Sequence, residues 1–103
     1  MAELKMFVIC LANQDLTHYA EVVGDHTAWV DKHAAAEVFL YAGPLEERTA
    51  GGMIVAHAES REALDLILRD DPFLIRGIAT HEVLSFIPTR GHNFHALQKK
   101  VAP

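Results

Sequence analysis

The sequence predicts an α+β, ferredoxin-like domain: a βαββαβ chain whose four-stranded antiparallel sheet carries two helices on one face. Three observations carry this. Four apolar runs rich in strand formers are each closed by turn residues. Two stretches with helix-forming composition and spacing lie between the first and second runs and between the third and fourth. The chain has 103 residues and no repeat, linker or low-complexity tract, so one domain is expected.

The first strand is read over Leu4 to Ala12, stopped by Asn13-Gln14-Asp15. It is apolar on both faces, with Met6, Val8 and Cys10 on one and Phe7, Ile9 and Leu11 on the other, so it is covered on both sides. Residues 17–24 read either as a loop or as a short helical turn. Asp25 is a plausible N-cap for a helix over about residues 26–36, favoured by Ala28, Trp29, Lys32 and the Ala34-Ala35-Ala36 run. Val38 to Ala42 is the second strand, closed by Gly43-Pro44, and a polar connection from Glu46 to Ala50 follows. Gly51-Gly52 allows a sharp entry into the third strand, Met53 to Ala58. Ser60 is a good N-cap for a helix over about residues 61–69, with Ala63, Leu64, Ile67 and Leu68 as its apolar stripe. Asp71-Pro72 starts one more helical turn, with a carboxylate to cap and proline at the first position, and Gly77 ends it. Ile78 to Ile87 is the last strand, stopped by Pro88. The domain is therefore expected over residues 1–88. Residues 89–103 form a polar, basic tail with weak helical character from His95 to Lys100.

Half of the residues are apolar, more than so short a chain needs for its own core, so a homo-oligomer is expected. The second helical layer that would cover the free sheet face is missing, which points to a second subunit or an enclosed pocket there. A formal charge of −5 without a basic stripe argues against nucleic acid. No apolar run is long enough to cross a membrane, and the N-terminal run lacks the basic flank and cleavage site of a signal peptide. The lone Cys10 reads as a buried small hydrophobe, and a chain with no disulfide framework suits the cytoplasm.

Seven histidines invite a metal site, but no His-Glu-x-x-His or Cys-x-x-Cys spacing is present, and none is expected. Phosphate-binding and dinucleotide-binding glycine motifs are missing, as is a serine nucleophile elbow. That leaves His26 and Asp71. Asp71 alone reads as a helix cap, and His26 as a first-turn surface histidine. Two arguments add a catalytic reading. A helix N-terminus disfavours imidazolium, keeping His26 neutral as a general base must be. A carboxylate nearby would hold one ring nitrogen protonated and stabilise the imidazolium formed on proton abstraction. His57 alternates with Met53 and Val55, and His81 with Val83 and Ile87; each reads either as a packed or interface histidine or as a cleft-lining one. Arg76 is either a solvated helix-end cation or a binder of a substrate anion.

Taken together, His26, Ala42-Gly43-Pro44, Ser60-Arg61-Glu62-Ala63 and Asp71-Pro72-Phe73 resemble the YCII (YciI-like) family, over about Leu4 to Pro88. The resemblance implies a catalytic His26–Asp71 pair and an α/β-barrel-like dimer with pockets near the subunit interface. It implies a lyase that needs no metal or organic cofactor, a dehydrochlorinase removing chloride from a chlorinated hydroxyhydroquinone in chloroaromatic breakdown. Where many members carry an arginine three residues before the histidine, this chain has Val23, which suits a phenol. On this reading Phe7, Tyr19, Trp29 and Phe73 contact a small aromatic substrate. An isomerase acting by proton transfer on a small ring or lactone, and a non-catalytic small-molecule-binding oligomer, are the alternatives.

Overall fold

The computed structural model describes residues 5–101. Its elements are β1 (Met6–Asn13), α1 (Tyr19–Ala35), β2 (Phe39–Pro44), β3 (Gly51–His57), α2 (Arg61–Leu68), α3 (Pro72–Ile75), β4 (Ala79–Phe86) and α4 (Phe94–Val101). All strand pairs are antiparallel, in the order β2-β3-β1-β4. This is the expected α+β ferredoxin-like sheet.

Strand alternation divides the sheet into two unlike faces. Phe7, Ile9 and Leu11 of β1 and Ile54 and Ala56 of β3 are buried beneath the helices. Val22 and Trp29 of α1, Leu64 and Leu68 of α2, and Phe73 complete that core. Each large side chain buried there contributes about 1.5–3 kcal/mol. The indole N–H of Trp29 donates to the Ile67 carbonyl at 3.3 Å, tying α1 to α2.

The opposite face has no cover among the described residues. Register places Tyr41, Val55, Val8 and Leu84 in one row across all four strands. Tyr41 is 78% and Leu84 63% exposed, and Phe86 and Met53 flank them, also exposed.

The sequence-based boundaries need one large correction. The first helix begins at Tyr19, not near residue 26, and Asp25 is no cap. Val22, Val23 and Gly24 are poor helix formers in isolation, but burial of Val22 in the core overrides propensity. His26 therefore lies in the middle of a 17-residue helix, away from its N-terminus. Elsewhere the caps are as expected. The Ser60 hydroxyl accepts from the Ala63 N–H at 3.1 Å. Gly77 closes α3 at φ +71°, a left-handed conformation that glycine tolerates.

Candidate active site

Asp71 is the N-cap of α3, and its Oδ1 accepts the Phe73 N–H at 2.9 Å. The cap fixes where the carboxylate points, and two imidazoles meet it. His26, from α1, donates from Nδ1 to Oδ1 at 2.7 Å. His81, from β4, donates from Nε2 to Oδ2 at 2.8 Å. Asp71 is wholly buried (0% exposed), whereas the His26 side chain keeps 15% exposure and that of His81 8%. A carboxylate is tolerated at that depth because both of its oxygens accept hydrogen bonds, three in all among the described residues.

Burial alone would raise the Asp71 pKa. The hydrogen bonds from His26 and His81, the positive charge available on His26 and the Phe73 N–H outweigh it, and bring the pKa down to about 2. A carboxyl whose folded pKa is depressed stabilises the fold above its unfolded pKa, and loses that contribution as pH falls through the folded one. The contribution is about 2 kcal/mol and should disappear between about pH 4 and pH 2. Urea unfolding followed over that range should show a drop in stability that is smaller in Asp71→Asn.

The His26 ring is held on its face as well as its edge. It stacks on Phe73 with centroids 3.9 Å apart and planes 6° from parallel, and Tyr19 packs on Phe73 in turn at 5.3 Å. With Nδ1 bonded to Asp71, Nε2 is the nitrogen left to act on a ligand.

His26 borders a cleft of about 410 Å³ between α1 and the β2–β3 end of the sheet. That volume suits a small ligand. Tyr19, Val23, Thr27 and Val30, successive turns of α1, form one wall. Leu11, Gly43, Pro44, Gly51 and Gly52 form the other, and Phe73 closes the end. Two charged side chains besides His26 line the cleft, Asp31 and Arg48. Among the described residues no group of three or more His, Cys, Asp or Glu has the arrangement of a metal site.

Of the residues singled out from sequence, His26, Asp71, Tyr19 and Phe73 come together. Three do not. Phe7 points into the core from a central strand and is 1% exposed. Trp29 faces the core, with its ring against Phe39 at 5.1 Å and beside the His26 ring at 5.7 Å. Arg76 is exposed at the far end of α3 and does not border the cleft. Two residues were missed. His81 was visible only as an inward-facing histidine, and nothing in the sequence placed it against Asp71. Arg48 lies in the polar β2–β3 connection, and its signal was the Gly51-Gly52 pair that folds this connection back over the sheet end.

A YCII-related domain profile matches residues 6–87. The chain belongs to the YCII-related family. Solved structures share the fold. This YCII-related chain is similar to the 5-chloro-2-hydroxyhydroquinone dehydrochlorinase TftG of Burkholderia phenoliruptrix AC1100, solved with 2,5-dihydroxybenzoquinone. The identity is 18%, over 84% of this chain and 95% of that one, with a TM-score of 0.66. A Pseudomonas aeruginosa protein is similar at 10% identity, over 87% and 99% of the two chains, with a TM-score of 0.58. A Bacteroides thetaiotaomicron protein described as a possible oxidoreductase is similar at 12% identity, over 85% and 100%, with a TM-score of 0.56. At these identities the likeness is one of fold. A comparison with curated proteins gives no match. No helix among the described residues is long and apolar enough to cross a membrane.

Proposed function

We propose that this YCII-related protein is a lyase that removes chloride from a chlorinated, polyhydroxylated benzene ring, with His26 as general base and Asp71 as its anionic partner. The observation that carries this reading is the 2.7 Å bond from His26 Nδ1 to a buried carboxylate at the border of a ligand-sized cleft. The substrate class is supported by the fold shared with TftG, whose chlorinated hydroxyhydroquinone is the kind of ring that a histidine base can activate.

The step is redox-neutral. His26 Nε2 takes the proton of one phenolic hydroxyl, and the imidazolium is stabilised by Asp71. The proton is returned to the chlorine-bearing carbon, so the ring passes to its keto tautomer. A second hydroxyl then loses its proton to His26. Its electron pair runs through the ring, breaks the C–Cl bond and leaves a hydroxyquinone, chloride and one proton. Phe73 and Tyr19 supply aromatic contacts to the ring. Arg48 faces the phenolate oxygen and replaces a cation on α1, where Val23 stands. Arg48→Gln should raise KM by about tenfold with a smaller change in kcat, read from initial rates over a substrate series.

The exposed Tyr41–Leu84 row supports a dimer in which a second copy covers this face. Sedimentation velocity at micromolar concentration should give twice the chain mass, and Leu84→Glu should return it to a monomer.

The assay for the activity is chloride release from 5-chloro-2-hydroxyhydroquinone with no added metal or nucleotide, corrected for spontaneous decay. Release well above background with equimolar hydroxyquinone is expected. Turnover without chloride would favour an isomerase, and a rate equal to the enzyme-free control would overturn the lyase reading.

A further inference from the structure

We propose that His81 is a positioning residue that sets the proton affinity of His26 through the carboxylate they share. His26 and His81 then take up protons as one coupled pair. Its bearing on catalysis rests on His26 being the base; the coupling itself does not.

The geometry is specific. One carboxylate accepts from two imidazoles, His26 on Oδ1 at 2.7 Å and His81 on Oδ2 at 2.8 Å. The three groups come from α1, α3 and β4, so their placement is set by the fold and not by local chain flexibility. Asp71 carries one negative charge, enough to balance one imidazolium. When either ring gains a second proton, the other faces a cation across a single buried carboxylate. Uptake of the next proton is then disfavoured.

Among the described residues no other charged group bonds to this carboxylate. From α1 the titratable group on Asp71 is His26; Asp31 and Arg48 lie on the cleft side of that ring. From β4 it is His81, while Glu82 is exposed on the opposite face of the strand. Leu11 of β1 pairs with His81 and is apolar. α3 contributes the Phe73 N–H, and Arg76 beyond it is exposed. Asp70, the neighbour of Asp71 in the chain, is exposed as well. Tyr19 reaches the site only through the face of Phe73.

The chemical consequence lies in the acid range. A protonated His81 occupies the charge of Asp71 and lowers the proton affinity of His26. His26 then stays unprotonated, and usable as a base, to a lower pH than the His26–Asp71 pair alone would allow.

The test follows the ring nitrogen signals of His26 and His81 against pH by NMR, in the wild type and in His81→Gln. The glutamine Nε2 can donate to the same Oδ2 but does not titrate. In the wild type both rings should respond in two steps separated by about one pH unit or more. In His81→Gln, His26 should titrate in a single step, with its midpoint above the lower wild-type step. Superposable His26 curves in the two proteins would overturn the proposal. The reciprocal variant, His26→Asn, decides the matter if His81→Gln does not fold, because coupling is mutual. The His81 curve must collapse to one step there, and an unchanged curve overturns the proposal equally. With an active substrate, the acid limb of kcat/KM should move upward in His81→Gln, whereas a merely structural prop would lower the rate at every pH alike. Chloride release bears on the lyase reading alone, and the titration bears on the coupling alone.

Discussion

His26→Ala should lower chloride release by about 10²–10⁴-fold, the usual worth of a positioned general base. On the proposed mechanism the loss should fall on kcat, since the imidazole would act on the reacting proton while contributing one contact among many to the cleft wall. Alanine also removes the ring that stacks on Phe73 and one donor to Asp71. Stability must therefore be measured beside activity. His26→Asn keeps a donor near the position of Nδ1 and cannot accept a proton. Folded, inactive His26→Asn assigns the loss to proton transfer. Turnover within a few-fold of wild type in either variant would remove His26 from the mechanism.

Asp71→Ala should be the most damaging single substitution to the fold. It leaves two imidazole N–H groups and the Phe73 N–H without an acceptor at a buried site. At about 1–3 kcal/mol for each orphaned buried donor, partly offset by water entering the space, the expected cost is about 3–5 kcal/mol. A domain of this size has only about 5–15 kcal/mol in total. Asp71→Asn separates structure from chemistry. Its amide oxygen can still accept from His26 and Phe73, so the cap survives, but no anion remains to stabilise imidazolium. It should fold with a loss of about 1–3 kcal/mol and still lose about 10²-fold or more in rate. Urea melts and initial rates on the same preparations check both expectations. Wild-type rates in Asp71→Asn would reduce Asp71 to a cap.

Much of the fold is legible in the sequence because strand alternation and turn residues are local signals. The four strands, the Ser60 cap and the Asp71-Pro72 start all follow from such signals. The start of the first helix does not, since Val22, Val23 and Gly24 become helical through packing that no local rule records. That displacement also removes the helix N-terminus from the argument about His26. The His26 ring is instead framed by Asp71 on its edge and Phe73 on its face. Asp71 and His26 were each recognisable as suited to a dyad, but 45 residues separate them, and only the fold makes them neighbours. His81 and Arg48 were hidden for the same reason. Phe7 and Trp29 show the converse: both are buried in the core, and Trp29 also lies beside the His26 ring. An aromatic ring suits a binding site and a core equally, and burial decides which it serves.

The two walls of the cleft differ in how they can change over evolutionary time. The sheet wall is largely bare backbone. A methyl group added at Gly51 would sit 1.8 Å from the Leu11 carbonyl oxygen, at φ +141°, and one at Gly52 would lie 3.0 Å from the Gly43 carbonyl. Side chains are thus barred at Gly51 and crowded at Gly52, and mutation at these two positions disturbs the backbone before it alters selectivity. The helical wall meets no such backbone clash, because Tyr19, Val23, Thr27 and Val30 project from a regular helix, although Val23 and Val30 also pack against the core and Tyr19 on Phe73. Divergence toward new ligands is therefore channelled away from Gly51 and Gly52 and toward the helix, Thr27 above all, with Gly43 the one glycine of the sheet wall that leaves room for a side chain.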